Sequence, residues 1–188
     1  VSLNPSGKYL LVNNIDLKGQ NYTNSTPLGF VLKTNVGAEI IPFTGEFISF
    51  GSKISNFTLT VQNSQKDINA DAGVIVVSGL FPYVQNAIIS GVILENVSAV
   101  ISTSASGSNV VCDIGSGALI GTALEGNTIV NNVHVDITFN KSSTSVIDYP
   151  VYIGDIVAIG IVNVSISSST STVEYSNITG ITNDTLNV

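Results

Sequence analysis

Three short glycine-bearing motifs recur along this chain and constrain its fold more than any other feature. They are GLF at 79–81, GALIG at 117–121 and YIG at 152–154. Runs rich in Ile, Val and Asn also recur, and they begin 35, 40 and 30 residues apart when counted from Ile54, Ile89, Ile129 and Ile159. A loose period built from strand-forming runs is typical of a coiled β architecture, in which each copy buries its apolar edge on the next.

Local patterns predict strands and not helices. No window of eleven or more residues keeps apolar residues at helical spacing, whereas every second residue is apolar in FTLTVQ from Phe57 and VHVDITF from Val133. The run GVIVVSGLF from Gly73 is apolar almost throughout, which predicts a strand buried on both faces. The sequence therefore predicts one all-β solenoid domain over residues 1–188, with an antiparallel β-sandwich as the alternative.

The size of the coils and the filling of their interior can also be predicted. Coils stack about 4.8 Å apart, so about seven to nine coils of roughly 20 to 25 residues would form a rod about 35 to 45 Å long. Five aromatic side chains are expected to stack inside the rod or to cap it: Phe43, Phe47, Phe50, Phe57 and Phe81.

Composition restricts the location and the partners. The chain is 44% hydrophobic and only 10% charged, so Ser, Thr and Asn must wet its surface, which favours an extracellular or cell-surface location. All six basic residues are lysines, so bidentate recognition by arginine is not possible. The net charge of -7 argues against nucleic acid and anionic membranes as partners. No apolar run reaches the length of about 18 residues that a membrane span requires.

The charges are unevenly divided along the chain. Residues 1–66 carry five Lys and three acids, a balance of +2, whereas residues 67–188 carry one Lys and ten acids, a balance of -9. In a chain coiled along one axis, this polarity favours head-to-tail contacts between copies. The alternative is a chance fluctuation on a sparsely charged surface.

Eight Asn-X-Ser/Thr sequons point to a glycosylated, exported protein, unless they arise by chance from the abundance of these residues. They lie at Asn21, Asn24, Asn56, Asn96, Asn140, Asn163, Asn177 and Asn183. Four of them lie in polar, turn-like stretches and are the better acceptors: Asn21, Asn24, Asn140 and Asn183. Asn56, Asn96 and Asn163 lie in or beside apolar runs and could instead stack in ladders between coils. The chain opens on VSLNPSGKY without Met, as expected after removal of an export signal.

Catalytic chemistry is not expected. The only histidine, His134, alternates in phase with Asp136, which predicts an exposed or ladder residue and not a general base. The acids that could form a catalytic pair are spread singly: Asp113, Glu125, Asp136, Asp148 and Asp155. We therefore predict a protein that is not an enzyme, with no catalytic residue and no cofactor.

A metal site and a disulfide are also not expected. The oxygens of Asp67, Asn69 and Asp71 alternate before Gly73, but this glycine comes one place late for a calcium loop and no Glu closes the site. A solvated turn is the favoured interpretation. The single cysteine, Cys112, has no internal partner and is expected to be buried and inert.

The order of several short motifs resembles that of bacterial surface proteins carrying GLUG repeats. The resemblance covers roughly residues 8–140. The matching motifs are Asn14-Ile15-Asp16-Leu17, Pro27-Leu28-Gly29, Phe43 with Gly45 and Phe47, and Gly51 with Ile54, Asn56 and Phe57. The repeat itself is matched by Gly79-Leu80-Phe81 and by Gly117-Ala118-Leu119-Ile120-Gly121. The pattern decays beyond Tyr152.

The resemblance implies a right-handed parallel β-helix of the kind found in adhesins and other exported proteins. No amphipathic capping helix is evident at either terminus, and an open sheet end is a template for another strand. We therefore predict an exported structural or adhesive cell-surface protein, a homo-oligomer that assembles head to tail into a filament or sheath.

Two other binding functions are open alternatives. The first is a carbohydrate-binding β-helix module without catalysis, with glycans stacking on Tyr22, Tyr83, Tyr149 or Tyr152. The second is ice binding through threonine rows, based on Thr58, Thr60 and the segment 170–172.

Overall fold

In the computed structural model, the described residues are 3–30, 40–63, 74–103, 112–141, 151–160 and 163–176. These ranges contain sixteen strands and no helix. The strands are β1 (Lys8–Leu11), β2 (Ile15–Thr23), β3 (Glu46–Ser49), β4 (Lys53–Asn63), β5 (Val74–Ser78), β6 (Phe81–Val84), β7 (Ile88–Ser90), β8 (Ile93–Thr103), β9 (Cys112–Gly117), β10 (Ile120–Ala123), β11 (Thr128–Asn131), β12 (His134–Lys141), β13 (Val151–Gly154), β14 (Val157–Gly160), β15 (Val164–Ser167) and β16 (Thr170–Ser176).

The strands form four parallel sheets that wind around one axis. Sheet A has the order β1-β3-β7-β11-β15, sheet B has β2-β4-β8-β12-β16, sheet C has β5-β9-β13, and sheet D has β6-β10-β14. Three complete turns run from β3 to β6, from β7 to β10 and from β11 to β14. Every pairing between the described strands is parallel. The parallel β-solenoid is therefore confirmed, and the antiparallel sandwich is wrong for this part of the chain.

Each turn is larger than the sequence pattern predicted. Side chains that bond across neighbouring turns lie between 36 and 42 residues apart, so the prediction of seven to nine coils of roughly 20 to 25 residues is wrong. The isoleucines used for counting are not equivalent: Ile54 lies in sheet B and pairs with Leu94, Ile89 and Ile129 lie in sheet A, and Ile159 lies in sheet D. Each turn contains more than one Ile-rich strand, and the count mixed them.

The glycine motifs form the stacked corner between sheets C and D. Register places Gly154 beside Gly117, and Ser78 beside Ser116, so Gly79 follows in the same column. A Cβ on Gly117 would lie 2.1 Å from the Ile120 carbonyl oxygen, and one on Gly154 would lie 1.9 Å from that of Val157. No side chain fits there, so the corner requires glycine in every turn.

A second stacked corner, between sheets A and B, uses left-handed backbone. Its members have φ of 91°, 71°, 53° and 51°, and they are Gly51, Gly91, Asn132 and Ser168. The amide of Gly51 donates to the carbonyl of Gly91, and the amide of Gly91 donates to the carbonyl of Asn131. Glycine and asparagine adopt this conformation at the lowest cost, which explains why they mark the corner.

Large apolar side chains fill the interior. Four phenylalanines are fully buried, namely Phe43, Phe57, Phe81 and Phe139. The rings of Phe43 and Phe81 lie 4.9 Å apart, and Phe47 packs edge-on against Phe81. Interior positions are therefore confirmed for four of the five predicted aromatics. The prediction for Phe50 is wrong: its side chain is 87% exposed, because Phe47 and Ser49 point inward along β3 and the next residue points outward.

Candidate functional site on the outer faces and ends of the solenoid

An asparagine ladder crosses the outer face of sheet B. Asn56 and Asn96 have left-handed backbone, with φ of 59° and 53°. The Nδ2 of Asn96 donates to Oδ1 of Asn56 over 2.7 Å, and the Nδ2 of Asn56 donates to Oδ1 of Asp16 over 2.8 Å. At the other end, a carboxylate oxygen of Asp136 accepts from the backbone amide of Asn96 over 3.4 Å. The predicted ladder is confirmed at these two asparagines. We call these four residues the Asn ladder.

The ladder holds the carboxylate of Asp16 in its charged form. The hydrogen bond from the Asn56 amide lowers the pKa of Asp16 below its ordinary value, and the backbone amide of Lys18 and the Lys18 charge act in the same direction. Desolvation opposes this shift. Beside the ladder, Lys53 and Glu95 form an ion pair of 2.7 Å between neighbouring turns. Both side chains are partly exposed, so the pair contributes little to stability.

The fold explains why two of the sequons repeat. In β4 and β8, a left-handed Asn is followed by a buried apolar residue and then by an outward hydroxyl residue, Thr58 or Ser98, and these two pair in register. The next turn repeats the geometry with Asp136, Ile137 and Thr138. We call the aligned hydroxyls of Thr58, Ser98 and Thr138 the hydroxyl row. Its neighbours in the same column are Asn21 and Glu174.

The other sequon asparagines differ in their contacts. The side-chain amide of Asn24 donates to the carbonyl of Gln62, and its Oδ1 accepts from the amide of Gln62. Asn21 accepts a hydrogen bond from Thr60. Asn140 is half-buried, and Asn163 is exposed, with no side-chain ladder contact to another described residue. Asn177 and Asn183 lie outside the described residues. Glycosylation at the eight positions stays a prediction.

The titratable residues with catalytic potential lie apart. Nδ1 of His134 lies 2.8 Å from Oγ1 of Thr170 in the next turn, which confirms the prediction of a ladder residue. Within the ranges given above, no group of three or more His, Cys, Asp or Glu is placed to hold a metal ion. Asp148 and the segment 67–73 lie outside those ranges, and the side chains of Cys112 and Asp113 are not described.

The tyrosines proposed as glycan platforms are placed differently from one another. Tyr83 is buried, with 6% of its surface exposed, so the prediction that it stacks on a glycan is wrong. Its strand lies in sheet D, where β6 and β10 are buried throughout. Tyr22 is half-buried, and its hydroxyl donates to Oε1 of Gln20. Tyr152 is half-buried, and Tyr149 lies outside the described residues.

The threonine rows proposed for ice binding are interrupted. Thr58 and Thr60 both lie in β4, but their partners in the next turn are Ser98 and Val100. Thr60 is buried and donates its hydroxyl hydrogen to Asn21. The face therefore has one continuous line of hydroxyls, the hydroxyl row, and not two.

Both ends of the solenoid expose side chains that belong to its interior. In sheet A, an inward column runs through the five strands as Tyr9, Phe47, Ile89, Val130 and Ile166. In sheet B, a second column runs as Tyr22, Leu59, Ala99, Phe139 and Tyr175. We call these the core columns. Their last members, Ile166 and Tyr175, are 48% and 41% exposed.

The edge strands at the two ends have free sides. Among the described strands, β1 and β15 each pair on one side in sheet A, as do β2 and β16 in sheet B. The ring of Tyr175 stacks on Phe139 at 5.8 Å on its inner side. Partial burial and the nearby charge of Asp155 raise the pKa of Tyr175, so its hydroxyl stays neutral.

Comparisons with known proteins add no family and no relative. A scan against protein-family models and searches of curated proteins and of solved structures return no match for this chain. The resemblance to GLUG-repeat proteins therefore stays a prediction. Within the described ranges, no helix has the length and apolar character to cross a membrane.

Proposed function

We propose that this protein is an exported structural or adhesive element of a cell surface, and that its copies join head to tail into a filament or sheath. The observation that carries the proposal is the exposure of the core columns at the ends, where Ile166 and Tyr175 lie beside free strand edges. A free edge offers unpaired backbone groups to another strand. Apolar interior side chains at the same edge add a hydrophobic gain to that pairing.

The charge distribution supports head-to-tail joining over joining of like ends. The first 66 residues carry a balance of +2 and the remainder a balance of -9. Lys8 and Lys18 lie on the two edge strands of the first turn, whereas Glu174 lies on the last strand and Asp155 lies beside it. Opposite ends therefore attract, and two acidic ends repel each other.

Export and a structural role are supported by the sequence. A surface with few charges and many Ser, Thr and Asn residues suits the outside of a cell, and eight sequons and the GLUG-like motifs agree with it. The scattered acids and the hydrogen-bonded His134 give no pair suited to acid and base catalysis. A scaffold is therefore favoured over an enzyme.

Light scattering on the purified protein tests this proposal. We expect the mean mass to rise with protein concentration, and to rise more at low salt, because the end charges are then least screened. A constant monomer mass across concentration and salt would contradict head-to-tail assembly.

A second candidate function is glycan binding without catalysis along the hydroxyl row. The supporting observation is the alignment of Thr58, Ser98 and Thr138 at the strand spacing, with amide and carboxylate groups of the Asn ladder beside it. Such a line offers several hydrogen bonds to one sugar chain. A glycan array separates the two functions: binding that is lost in the variant with Thr58→Val and Thr138→Val would support the second.

A further inference from the structure

We infer the register of the joint between two copies: β15 and β16 of one copy pair in parallel with β1 and β2 of the next. In this register, Ile166 lies against Tyr9 of the next copy, and Tyr175 lies against Tyr22 of the next copy. The inference rests on the proposed head-to-tail assembly and specifies the partner, a second copy of this chain, and the residues that meet.

Sheet A determines the first contact. Its five strands keep one unbroken register, so the inward position of β1 is equivalent to that of β15. These positions hold Tyr9 and Ile166, the two ends of one core column. Inside the molecule, each member of this column packs between two others, but Ile166 has a described neighbour, Val130, on one side only. A second copy supplies the missing neighbour with the same spacing of about 4.8 Å.

Sheet B determines the second contact independently. Its register is continuous from Gln20 onward along β2, and Tyr22 and Tyr175 are the two ends of one core column. In the joint, the outer ring face of Tyr175 meets the ring of Tyr22, as its inner side already meets Phe139. One alignment of the two edges therefore satisfies both sheets.

A bulge in β2 adds charge complementarity. Three residues, Leu17, Lys18 and Gly19, separate Asp16 from Gln20, whereas β4 has one residue, Asn56, at this place. The exposed Lys18 thus lies between the column of Thr172 and the column of Glu174. Its ammonium group can reach the Glu174 carboxylate of the preceding copy, which links the basic first turn to the acidic last turn.

Cysteine cross-linking tests the register. Directly aligned residues in neighbouring parallel strands lie about 4.8 Å apart, which is within the Cα separation that a disulfide allows. In a Cys112→Ser background, one variant carries Tyr9→Cys and a second carries Ile166→Cys. Mixed and oxidised, they are expected to give a cross-linked dimer joined between positions 9 and 166, identified by peptide mass spectrometry.

A matched variant checks that the cross-link reports alignment and not mere proximity of the ends. Leu10→Cys lies beside position 9 on the same strand but points outward. It should cross-link with Ile166→Cys at least about tenfold less than Tyr9→Cys does. Tyr22→Cys mixed with Tyr175→Cys provides the second aligned pair, in case loss of one side chain weakens the joint.

The outcomes separate the register from the assembly itself. Cross-linking of both aligned pairs with little at position 10 supports the inference. Assembly by light scattering with equal cross-linking at positions 9 and 10, or with disulfides only between like variants, overturns the register while the proposed assembly stands. Absence of any association in the unsubstituted protein overturns both.

Discussion

The side-chain amide of Asn96 donates a hydrogen bond of 2.7 Å to the side-chain oxygen of Asn56, forty residues earlier in the chain. This contact joins equivalent positions in two consecutive turns. The amide of Asn56 passes the pattern on to the carboxylate of Asp16. A row of short polar side chains thus fixes the register of sheet B from its outer face, while the core columns fix it from inside.

The first prediction concerns the ionisation of Asp16. Its pKa is lowered mainly by the Asn56 amide, so its contribution to stability is present above the unfolded value of about 3.9 and is lost as pH falls through the lower folded value. Asn56→Ala should raise the pKa of Asp16 toward its ordinary value, as measured by NMR titration of its carboxyl carbon. Ser55→Ala is the control. An unchanged midpoint in Asn56→Ala would show that the ladder does not stabilise the carboxylate.

The second prediction concerns the left-handed corner between sheets A and B. A Cβ on Gly91 would lie 1.8 Å from the carbonyl oxygen of Ser49, whereas a Cβ on Gly51 would meet nothing within 4 Å. Both glycines have positive φ. Gly51→Ala should therefore cost about 1 to 2 kcal/mol from backbone strain alone. Gly91→Ala should cost more in urea unfolding, and equal losses would contradict the tight stacking of this corner.

The third prediction concerns buried hydroxyl groups. Oγ1 of Thr122 is buried and has no hydrogen-bond partner among the described residues, whereas the hydroxyl of Thr60 donates to Asn21. Thr122→Val removes an unpaired polar group without changing the shape of the side chain, so it should raise the free energy of unfolding by about 1 kcal/mol. Thr60→Val should lower it by a similar amount. Thermal or urea unfolding of both variants gives the comparison, and destabilisation by Thr122→Val would indicate an unseen partner.

The fourth prediction concerns the exposed end of a core column. Ile166 at the end and Ile129 on the side of sheet A have nearly equal exposure, 48% and 43%. Ile166→Asp should abolish the increase of mass with concentration, because it places a charge in the apolar joint. Ile129→Asp adds the same charge outside the joint and should assemble like the unsubstituted protein. Equal effects of the two changes would locate the interface elsewhere.

The sequence predicted the parts of the fold in which one residue type is required at every turn. Glycine at positions 79, 117 and 154 marks a corner without space for a side chain, and Asn56 and Asn96 mark a ladder of equal amides. These signals repeat because successive turns impose the same local geometry. They could therefore be recognised without any knowledge of how many strands make one turn.

The number of strands per turn could not be read from the sequence. Sheets A and B both contribute short Ile-rich strands, so Ile89 and Ile54 look alike although they lie in different sheets. Phe50 was misplaced because Phe47 and Phe50 are three residues apart, and alternation along an extended strand puts them on opposite faces. Tyr83 was misplaced because burial of both faces in sheet D depends on packing that no local pattern shows.

The most direct measurement of the account is electron cryomicroscopy of the native protein at high concentration and low salt. Because the strands run across the solenoid axis and copies join end to end, threads should show a repeat of about 4.8 Å along the thread axis. That repeat should continue across the joints without a gap. Separate particles under these conditions, or threads with the strand spacing across their axis, would contradict the end-to-end joining of open solenoids.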